Sequence, residues 1–524
     1  MSAPAAAIER QVVRAVGSIG TATLVSRVLG FVRDVVLARA FGAGGLTDAF
    51  VVAFRIPNIL RRLLAEGALS TAVVPVFTDY LTNRSRAEAR AMLGTLMSVA
   101  LLVLTTVTVI GIAAAPWILP VIAPGFSADP AQAALAVLLT RVMFPYLVLV
   151  GLAALAMGVL NAQGRFFAAA LGPALLNVGM IAGVLVLAPR VTPPILGVAL
   201  GVLLGGAAQL AVQLPPLARA GLLVSPARSL RHPAVRRVVR LLGPSVFGLA
   251  AVQIMVFVNT LLASWLPAGS ISFLYYADRV MEFPHGVFGI ALASASLPAM
   301  SRQAAAGDRP GLAGTLNFAL RLSCYIAVPA TVGLVLLRAP IVRVLFERGQ
   351  FTPAATAATA EALAWYAAGL VGFSGARIAA QAFYALGEPG TAVRAGIVAV
   401  GVNVVAAVVL MPVLSHAGLA AASSLGAAVN LATLVASARR RFGRIGGHAL
   451  AASLARTLAA TAPLAAWCVA ARALWPVQPR LAVEATWLAG AIVAGAGVFW
   501  LASGILARPE RDALARLRPG RREV

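Results

Sequence analysis

Charged side chains interrupt the apolar runs near the start of this chain, and their types limit the chemistry it can do. The stretch SRVLGFVRD places Arg27, Arg33 and Asp34 in a segment that is otherwise apolar and long enough to cross a bilayer. A charged side chain at membrane depth costs roughly 3 kcal/mol even on lenient scales. Arginine is always charged, and its planar fork matches phosphate and diphosphate groups. The pattern therefore predicts an anionic, phosphate-bearing substrate.

Further charges at membrane depth lie in the second and eighth apolar segments. They are Asp48, Arg55, Arg61, Arg62, Glu66, Asp278, Arg279 and Glu282. At 100° per residue, four of those in the second segment fall within about 40° of one another and form a stripe on one helix face: Asp48, Arg55, Arg62 and Glu66. A proline inside this segment, Pro57, predicts a kink that turns Arg61 toward the same side.

The first segment has a related arrangement, in which Arg27 and Asp34 share a face. Gly30 predicts a local backbone irregularity that brings Arg33 round to that face. Irregular backbone survives at membrane depth only where it lines protein or water. One interpretation of all these charges is structural ion pairing between packed helices, which we favour for Asp34, Asp48 and Glu66. The other is a water-filled, net-positive cavity between two lobes.

The amino-acid composition indicates that membrane lipid, rather than water, surrounds most of the chain. The 524 residues are 60% hydrophobic and 11% charged, far below the roughly 25% charge of soluble proteins. The net charge of +25 comes from arginine without any lysine, and the arginines collect in short loops, which argues for topology rather than nucleic-acid binding. Two cysteines and four scattered histidines provide no metal-ligand spacing, so neither a metal site nor a cofactor is expected.

The apolar runs predict an all-α polytopic membrane protein with about fourteen transmembrane helices. They lie near 12–40, 48–80, 91–122, 131–161, 167–188, 193–218, 235–266, 271–304, 311–345, 355–385, 390–413, 417–440, 449–475 and 480–506. Arginine-rich segments at 82–90, 227–237, 438–444 and 508–522 alternate with loops that contain no arginine. By the positive-inside rule these segments and both termini are cytoplasmic.

The sequence also repeats itself at an offset of 223 to 224 residues. Arg55 matches Arg279, Pro75 matches Pro298, Pro116 matches Pro340, and Gly164 matches Gly387. Six spans separate equivalent positions, so the two copies have the same orientation, as in transporters that bind substrate between two parallel repeats. We therefore predict an N-lobe (1–222), a C-lobe (223–446), and two additional spans with a basic cytoplasmic tail (447–524).

Four stretches resemble the MurJ-type lipid II flippases of bacterial cell-wall synthesis, members of the multidrug/oligosaccharidyl-lipid/polysaccharide (MOP) exporter superfamily. These stretches are SRVLGFVRD, TDAF, FRIPNILRRLLAEGALSTAVVPVF and SISFLYYADRVMEFPHGVFGIALASASLP. The resemblance covers essentially the whole chain. It implies a transporter, not an enzyme, that moves undecaprenyl-diphosphate-linked disaccharide-pentapeptide from the cytoplasmic to the periplasmic leaflet of the inner membrane. The implied mechanism is alternating access through a cationic cavity between the lobes.

The resemblance also implies roles for individual residues. The expected substrate-binding residues are Arg27 of SRVLGF, Arg33 of FVRD, Arg61 of PNILRR and Arg279 of YYADR. The expected supporting residues of the cavity are Asp34, Asp48, Asn58, Arg62, Glu66, Ser272, Asp278 and Glu282. The two extra spans resemble a groove that receives the undecaprenyl tail. The implied partners are lipid II and membrane lipid, with cell-wall synthesis and division proteins as further candidates.

The sequence leaves alternatives open for the driving force of transport and for the function itself. Family members are described with a sodium site built from carboxylates in the second lobe, but the seventh, eleventh and twelfth predicted spans contain none. Chloride or the membrane potential acting on the arginines stays open. A drug or polysaccharide exporter is a competing function, although a proton-coupled exporter needs a lone carboxylate in an apolar pocket. A membrane enzyme acting on polyprenyl phosphates would need paired acids or a histidine base near one interface.

Overall fold

The computed structural model describes residues 3–63, 69–227, 229–476 and 480–516, and these ranges are helical with no β-strand. The chain forms two compact units, Met1–Gly269 and Ser270–Val524. The first unit contains α1 (Ala3–Phe41), α2 (Gly45–Leu63), α3 (Leu69–Asn83), α4 (Arg86–Ile122), α5 (Pro130–Met143), α6 (Tyr146–Ala162), α7 (Phe167–Ala170), α8 (Gly172–Ala182), α9 (Leu196–Ala211), α10 (Leu214–Arg219) and α11 (Pro233–Ser264). The second contains α12 (Ser270–Pro284), α13 (Ile290–Ala305), α14 (Arg309–Leu336), α15 (Arg338–Phe346), α16 (Pro353–Ala368), α17 (Leu370–Ala385), α18 (Pro389–Phe442), α19 (Gly447–Ala473), α20 (Leu481–Leu506) and α21 (Arg508–Arg516).

Eight helical segments among the described residues are long and apolar enough to cross a membrane. They are Arg86–Ile122, Pro130–Ala162, Phe167–Arg190, Leu196–Arg219, Arg309–Leu336, Pro389–Phe442, Gly447–Ala473 and Leu481–Leu506. A shorter apolar helix covers Gln253–Ser264. The all-α, multi-pass membrane class is therefore confirmed, while the number of fourteen spans stays a prediction.

Several predicted spans are broken into two helices. The fourth predicted span breaks at Phe144 and Pro145, because proline has no N–H to continue the helical ladder. In the eighth, a π-helical turn over His285–Gly289 follows Pro284 and separates α12 from α13. Apolar periodicity could not show these breaks, since the residues on either side of each are equally apolar.

The internal repeat is visible in the positions where helices begin and end. The consecutive helices α5 and α6 begin at Pro130 and end at Ala162, and α16 and α17 begin at Pro353 and end at Ala385, 223 residues later in both cases. The side chains of Asp129 and Thr352 cap the two helix pairs at their N-termini. Each helix pair is followed by a glycine with φ of 71°, Gly164 and Gly387. Duplication thus preserved local conformation where little side-chain identity remains.

The eleventh and twelfth predicted spans are the two halves of α18. Ser415 (φ 51°, ψ −133°) interrupts the helix inside the predicted loop 414–418. The halves then fold back on each other, and Asn403 donates a hydrogen bond to the Ser423 hydroxyl at 3.4 Å. The buried His416 ring, next to the break, contacts the Ala358 carbonyl of α16 at 2.9 Å and so ties the turn to that helix.

Each unit has its own apolar core. In the first, α3, α4 and α6 pack around Phe77, Met92 and Leu160, and α11 packs against α3 and α4. The repeat assigns α11 to the second lobe instead. The predicted bounds 1–222, 223–446 and 447–524 rest on that repeat and stay predictions. In the second unit, α13, α14 and α17 pack around Leu316 and Phe383.

The last two long helices pack on the second unit in a row, with α19 between α14 and α20. Most of their residues are apolar, but Glu484 of α20 is buried and pairs with Arg343 of α15 at 3.1 Å. Tyr325 also donates a hydrogen bond to Ser503 at 2.8 Å. Just after α20, the short helix α21 turns back and buries the Glu510 carboxylate. Glu510 accepts bonds from Arg321 of α14 at 2.5 Å and from Arg456 of α19 at 2.8 Å.

This buried carboxylate should make the attachment of α21 dependent on pH. Burial favours the neutral acid, but hydrogen bonds from Arg456 and Arg321 outweigh it and lower the pKa of Glu510 to about 2 from 4.5. A depressed pKa stabilises the fold above the unfolded-state pKa, and that contribution disappears as the pH falls from about 4.5 toward 2. We expect Glu510→Gln to lower the free energy of unfolding by about 1–3 kcal/mol at pH 7.

Thermal unfolding of the purified protein in detergent measures this difference at pH 7 and at pH 3. The matched control is Asp512→Asn on the same helix, because that carboxylate is exposed and the ion pairs it forms contribute little. The assignment is wrong if Glu510→Gln and Asp512→Asn unfold alike at pH 7.

Candidate functional site

Arg33 on α1 is held by two acceptors from different helices. Its Nε and Nη2 donate to Asp34 Oδ1 at 2.9 and 2.7 Å, and its Nη1 donates to Asn177 Oδ1 on α8 at 2.9 Å. The Arg33 side chain is 13% exposed and that of Asp34 is 2% exposed. Bonds at both edges fix the plane of the guanidinium. The ion pair of Asp34 is formed with its neighbour on α1, whereas the structural interpretation expected pairing between packed helices.

The backbone at Gly30 differs from the irregularity expected from the sequence. The helix α1 continues without interruption through Gly30, so the predicted backbone irregularity is wrong. A Cβ at Gly30 would lie 3.4 Å from Asn177 Nδ2, which shows that the glycine faces this amide. Arg33 reaches Asp34 through its long side chain rather than through a change in the backbone.

Asn177 is the residue that the sequence reasoning missed. Its only signal was a polar side chain in the apolar run PALLNVGMIA. The helix α8 that carries it packs closely on α9, where an added Cβ at Gly179 would lie 2.5 Å from the Gly205 backbone. Small residues at such an interface let the helices approach closely and fix their positions.

Arg27 lies one to two turns before Arg33 on α1, and its side chain is exposed. Exposure of a permanent cation along an apolar helix is costly in lipid, so the side chain requires water or an anionic group beside it. The role of Arg27 in substrate binding stays a prediction.

The charged stripe of α2 separates into residues with different surroundings. Asp48 is 2% exposed and accepts a hydrogen bond at 2.6 Å from the backbone N–H of Gly269, whose φ is 98°. Asp48 therefore anchors the loop that follows α11, as a structural role requires. Arg55 and Arg62 are half-buried farther along the helix. Glu66 lies outside the described residues.

Arg61 near the end of α2 bonds to Asn58, one turn earlier. Its Nε and Nη2 donate to Asn58 Oδ1 at 3.1 and 3.0 Å. An amide acceptor orients the guanidinium without cancelling its charge. The supporting role predicted for Asn58 therefore has a direct contact, although α2 continues through Pro57 as one helix.

The α12 residues of the second unit form a local group. Arg279 Nη1 donates to Glu282 at 2.5 Å, and the guanidinium lies 5.1 Å from the centre of the Tyr275 ring. Asp278 is half-buried. Ser272 is fully buried, so its hydroxyl lies in the packed interior of the unit. Arg279 keeps 28% of its side chain exposed, so it can meet an anion from solvent.

The charges in the described part of α1 and α2 are unbalanced. Between residues 21 and 63 there are six arginines and two carboxylates: Arg27, Arg33, Arg39, Arg55, Arg61, Arg62, Asp34 and Asp48. This excess of permanent positive charge suits a phosphate or diphosphate group. No cluster of three or more histidine, cysteine or acidic residues that could hold a metal ion occurs in the described ranges.

Comparison with known proteins gives one consistent result. The family described as "Lipid II flippase MurJ" matches residues 37–483. A lipid II flippase MurJ of Burkholderia cenocepacia is 38% identical over 435 residues, which cover 82% of this chain and 84% of that protein. A probable lipid II flippase MurJ of Vibrio cholerae is 40% identical over 421 residues, covering 79% of this chain and 80% of that protein.

Solved structures with the same fold agree. A lipid II flippase MurJ in an inward closed conformation superposes with a TM-score of 0.79 at 23% identity, covering 94% of this chain and 99% of the other. A multidrug resistance MATE family transporter of the MOP superfamily in an inward-facing conformation has a TM-score of 0.66 at 15% identity, covering 80% and 96%. At these identities the likeness shows the fold alone, which is that of MOP superfamily transporters.

Proposed function

This chain belongs to the lipid II flippase MurJ family, and from that premise we propose that it moves lipid II from the cytoplasmic to the periplasmic leaflet of the bacterial inner membrane. The observation that carries the proposal is the excess of arginine on α1 and α2, within a chain that matches the family from residue 37 to residue 483. Lipid II bears a diphosphate between its sugar and its polyprenyl tail, and arginine forks recognise that group.

We assign the diphosphate to Arg27, Arg33, Arg61 and Arg279, with Asn58 and Asp34 orienting two of these side chains. The exposure of Arg27 and Arg279 supports direct contact of these side chains with substrate. The fixed plane of the Arg33 guanidinium supports a binding group that is already oriented before substrate arrives. Preorganised donors cost less entropy on binding than mobile ones. Asp48 and Ser272 support the site through the packing of their own units.

The transport cycle is alternating access, in which the site opens first to one side of the membrane and then to the other. The arginines stay charged throughout, because guanidinium does not deprotonate in proteins. They therefore bind the diphosphate in both states of the transport cycle. Transport makes and breaks no covalent bond. Both termini face the cytoplasm in this proposal, and cell-wall synthesis and division proteins are candidate partners.

Depletion of the protein tests the function directly. In cells whose only copy is switched off, lipid II should accumulate in the inner leaflet and become inaccessible to a membrane-impermeant reagent added from the periplasmic side. Re-expression of the parent should restore labelling within one generation. Unchanged labelling after depletion would show that another protein moves the substrate and would exclude this function.

A further inference from the structure

Asn177 makes two hydrogen bonds to α1, and both ends of its amide take part. Its Nδ2 donates to the Ser26 carbonyl at 3.0 Å, and its Oδ1 accepts from Arg33 Nη1 at 2.9 Å. The side chain is 6% exposed. A buried amide is costly unless it is hydrogen-bonded, and here the two partners that compensate it both come from α1.

The two bonds define the position of Arg33 relative to its own helix. Ser26 and Arg33 lie on the face of α1 that also contains Gly30, and Gly30 leaves the space that Asn177 occupies. Asp34 accepts from the Nε and Nη2 edge of the guanidinium, and Asn177 accepts from Nη1. With Asn177 present, the fork is fixed at two edges by two different helices.

The chemistry of residue 177 also matters for charge. An amide oxygen accepts a hydrogen bond without adding negative charge, whereas Asp34 already supplies one carboxylate to Arg33. A second carboxylate would leave the Arg33 group with net negative charge and repel an anionic ligand. An apolar side chain of similar volume would leave Nη1 without this acceptor.

We infer that Asn177 is a positioning residue for substrate recognition, which holds the Arg33 guanidinium in the orientation that binds the diphosphate. This inference rests on the proposed function, since it assigns Asn177 an effect only through Arg33. It predicts that Asn177 matters to ligand affinity when Arg33 is present and does not matter when Arg33 is absent.

A double-mutant cycle on the purified full chain tests the inference, with undecaprenyl diphosphate in nanodiscs as the ligand. We expect Asn177→Ala to weaken binding on the order of tenfold, as for the loss of a hydrogen bond to a charged group. In the Arg33→Ala background, Asn177→Ala should cause no further loss. Asn177→Asp keeps the volume and the acceptor, but it loses the Nδ2 donor to Ser26 and adds charge, so it should weaken binding at least as much as alanine.

A buried amide of the same unit provides the matched control. Gln209 on α9 is 5% exposed, and its side-chain oxygen accepts no hydrogen bond in the described structure, so Gln209→Ala should leave affinity unchanged. If Arg33→Ala binds as tightly as the parent, the proposed role of Arg33 fails. If Arg33→Ala weakens binding but Asn177→Ala does not, or if their effects simply add, Arg33 keeps its role and the inference about Asn177 is overturned. If Asn177→Ala does not fold, the affinity of Asn177→Asp for undecaprenyl diphosphate tests the inference instead. An affinity equal to that of the parent would contradict the inference.

Discussion

Cells that depend on a variant with alanine at Arg27, Arg33 or Arg279 should fail to grow, although the variant protein inserts and accumulates. A hydrogen bond between a guanidinium and a diphosphate contributes roughly 1.5–3 kcal/mol, because both partners are charged. Losing one arginine should therefore reduce affinity on the order of tenfold to a hundredfold. Growth requires a large flux of cell-wall precursor, so a loss of this size should not be tolerated.

Lysine at the same positions should rescue growth only in part. It keeps the positive charge but presents a point charge in place of the planar fork. At residue 33, lysine also cannot bond Asp34 through two nitrogens while reaching Asn177, as arginine does. Complementation at graded expression levels, with membrane abundance measured for each variant, distinguishes partial rescue from none.

The matched control for these variants is Arg141→Ala. Arg141 is an exposed arginine of α5 whose Nε donates to the Ile112 carbonyl at 3.2 Å, and it lies outside the proposed site. It should support normal growth. Normal growth with Arg27→Ala or Arg279→Ala at normal abundance would show that these arginines do not bind substrate.

A charge placed in α19 should impair transport of substrate with a long polyprenyl tail. The helices α19 and α20 are apolar along most of their length, which supports the prediction that they receive the lipid tail. Ala465 is half-buried in α19, and glutamate there would place a carboxylate at membrane depth at a cost of about 2–3 kcal/mol or more. We expect Ala465→Glu to slow transport of undecaprenyl-linked substrate at least tenfold in proteoliposomes.

The substrate itself provides the control for this variant. An analogue with the same headgroup and a short polyprenyl chain does not fill a tail groove, so Ala465→Glu should transport it at nearly the parental rate. Ala465→Leu, which adds volume without charge, should retain most activity with both substrates. Equal slowing of the short and long substrates would assign the defect to folding or to the headgroup site, and the tail role of α19 would be wrong.

The sequence predicted the class of fold well, because apolar length and the duplication at 223 residues are properties of the chain itself. It did not show the local interruptions inside a span, such as Phe144 and Pro145 or the π-helical turn after Pro284. Such breaks depend on which carbonyls neighbouring helices can satisfy, and this is decided by tertiary packing. The duplicated helix pairs show the same limit, since their ends coincide although few of their residues do.

The site was predicted as a set of residue types rather than as a set of contacts. The sequence placed Asp34 on a face with Arg27, whereas the structure pairs Asp34 with Arg33. Asn177 lies 144 positions from Arg33 and shares no motif with it. Only the packing of α8 on α1 brings them together. The meeting of Arg27 and Arg33 with Arg279 on one diphosphate stays a prediction.

Binding of undecaprenyl diphosphate to the purified protein tests the central claim most directly. The parent and a variant with alanine at Arg27, Arg33 and Arg279 are compared after both show the same elution and thermal unfolding in detergent. The account predicts that the triple variant binds at least about a hundredfold more weakly than the parent, because three charged partners of the diphosphate are gone. A folded triple variant that binds as tightly as the parent would show that these arginines are structural, and would contradict the account.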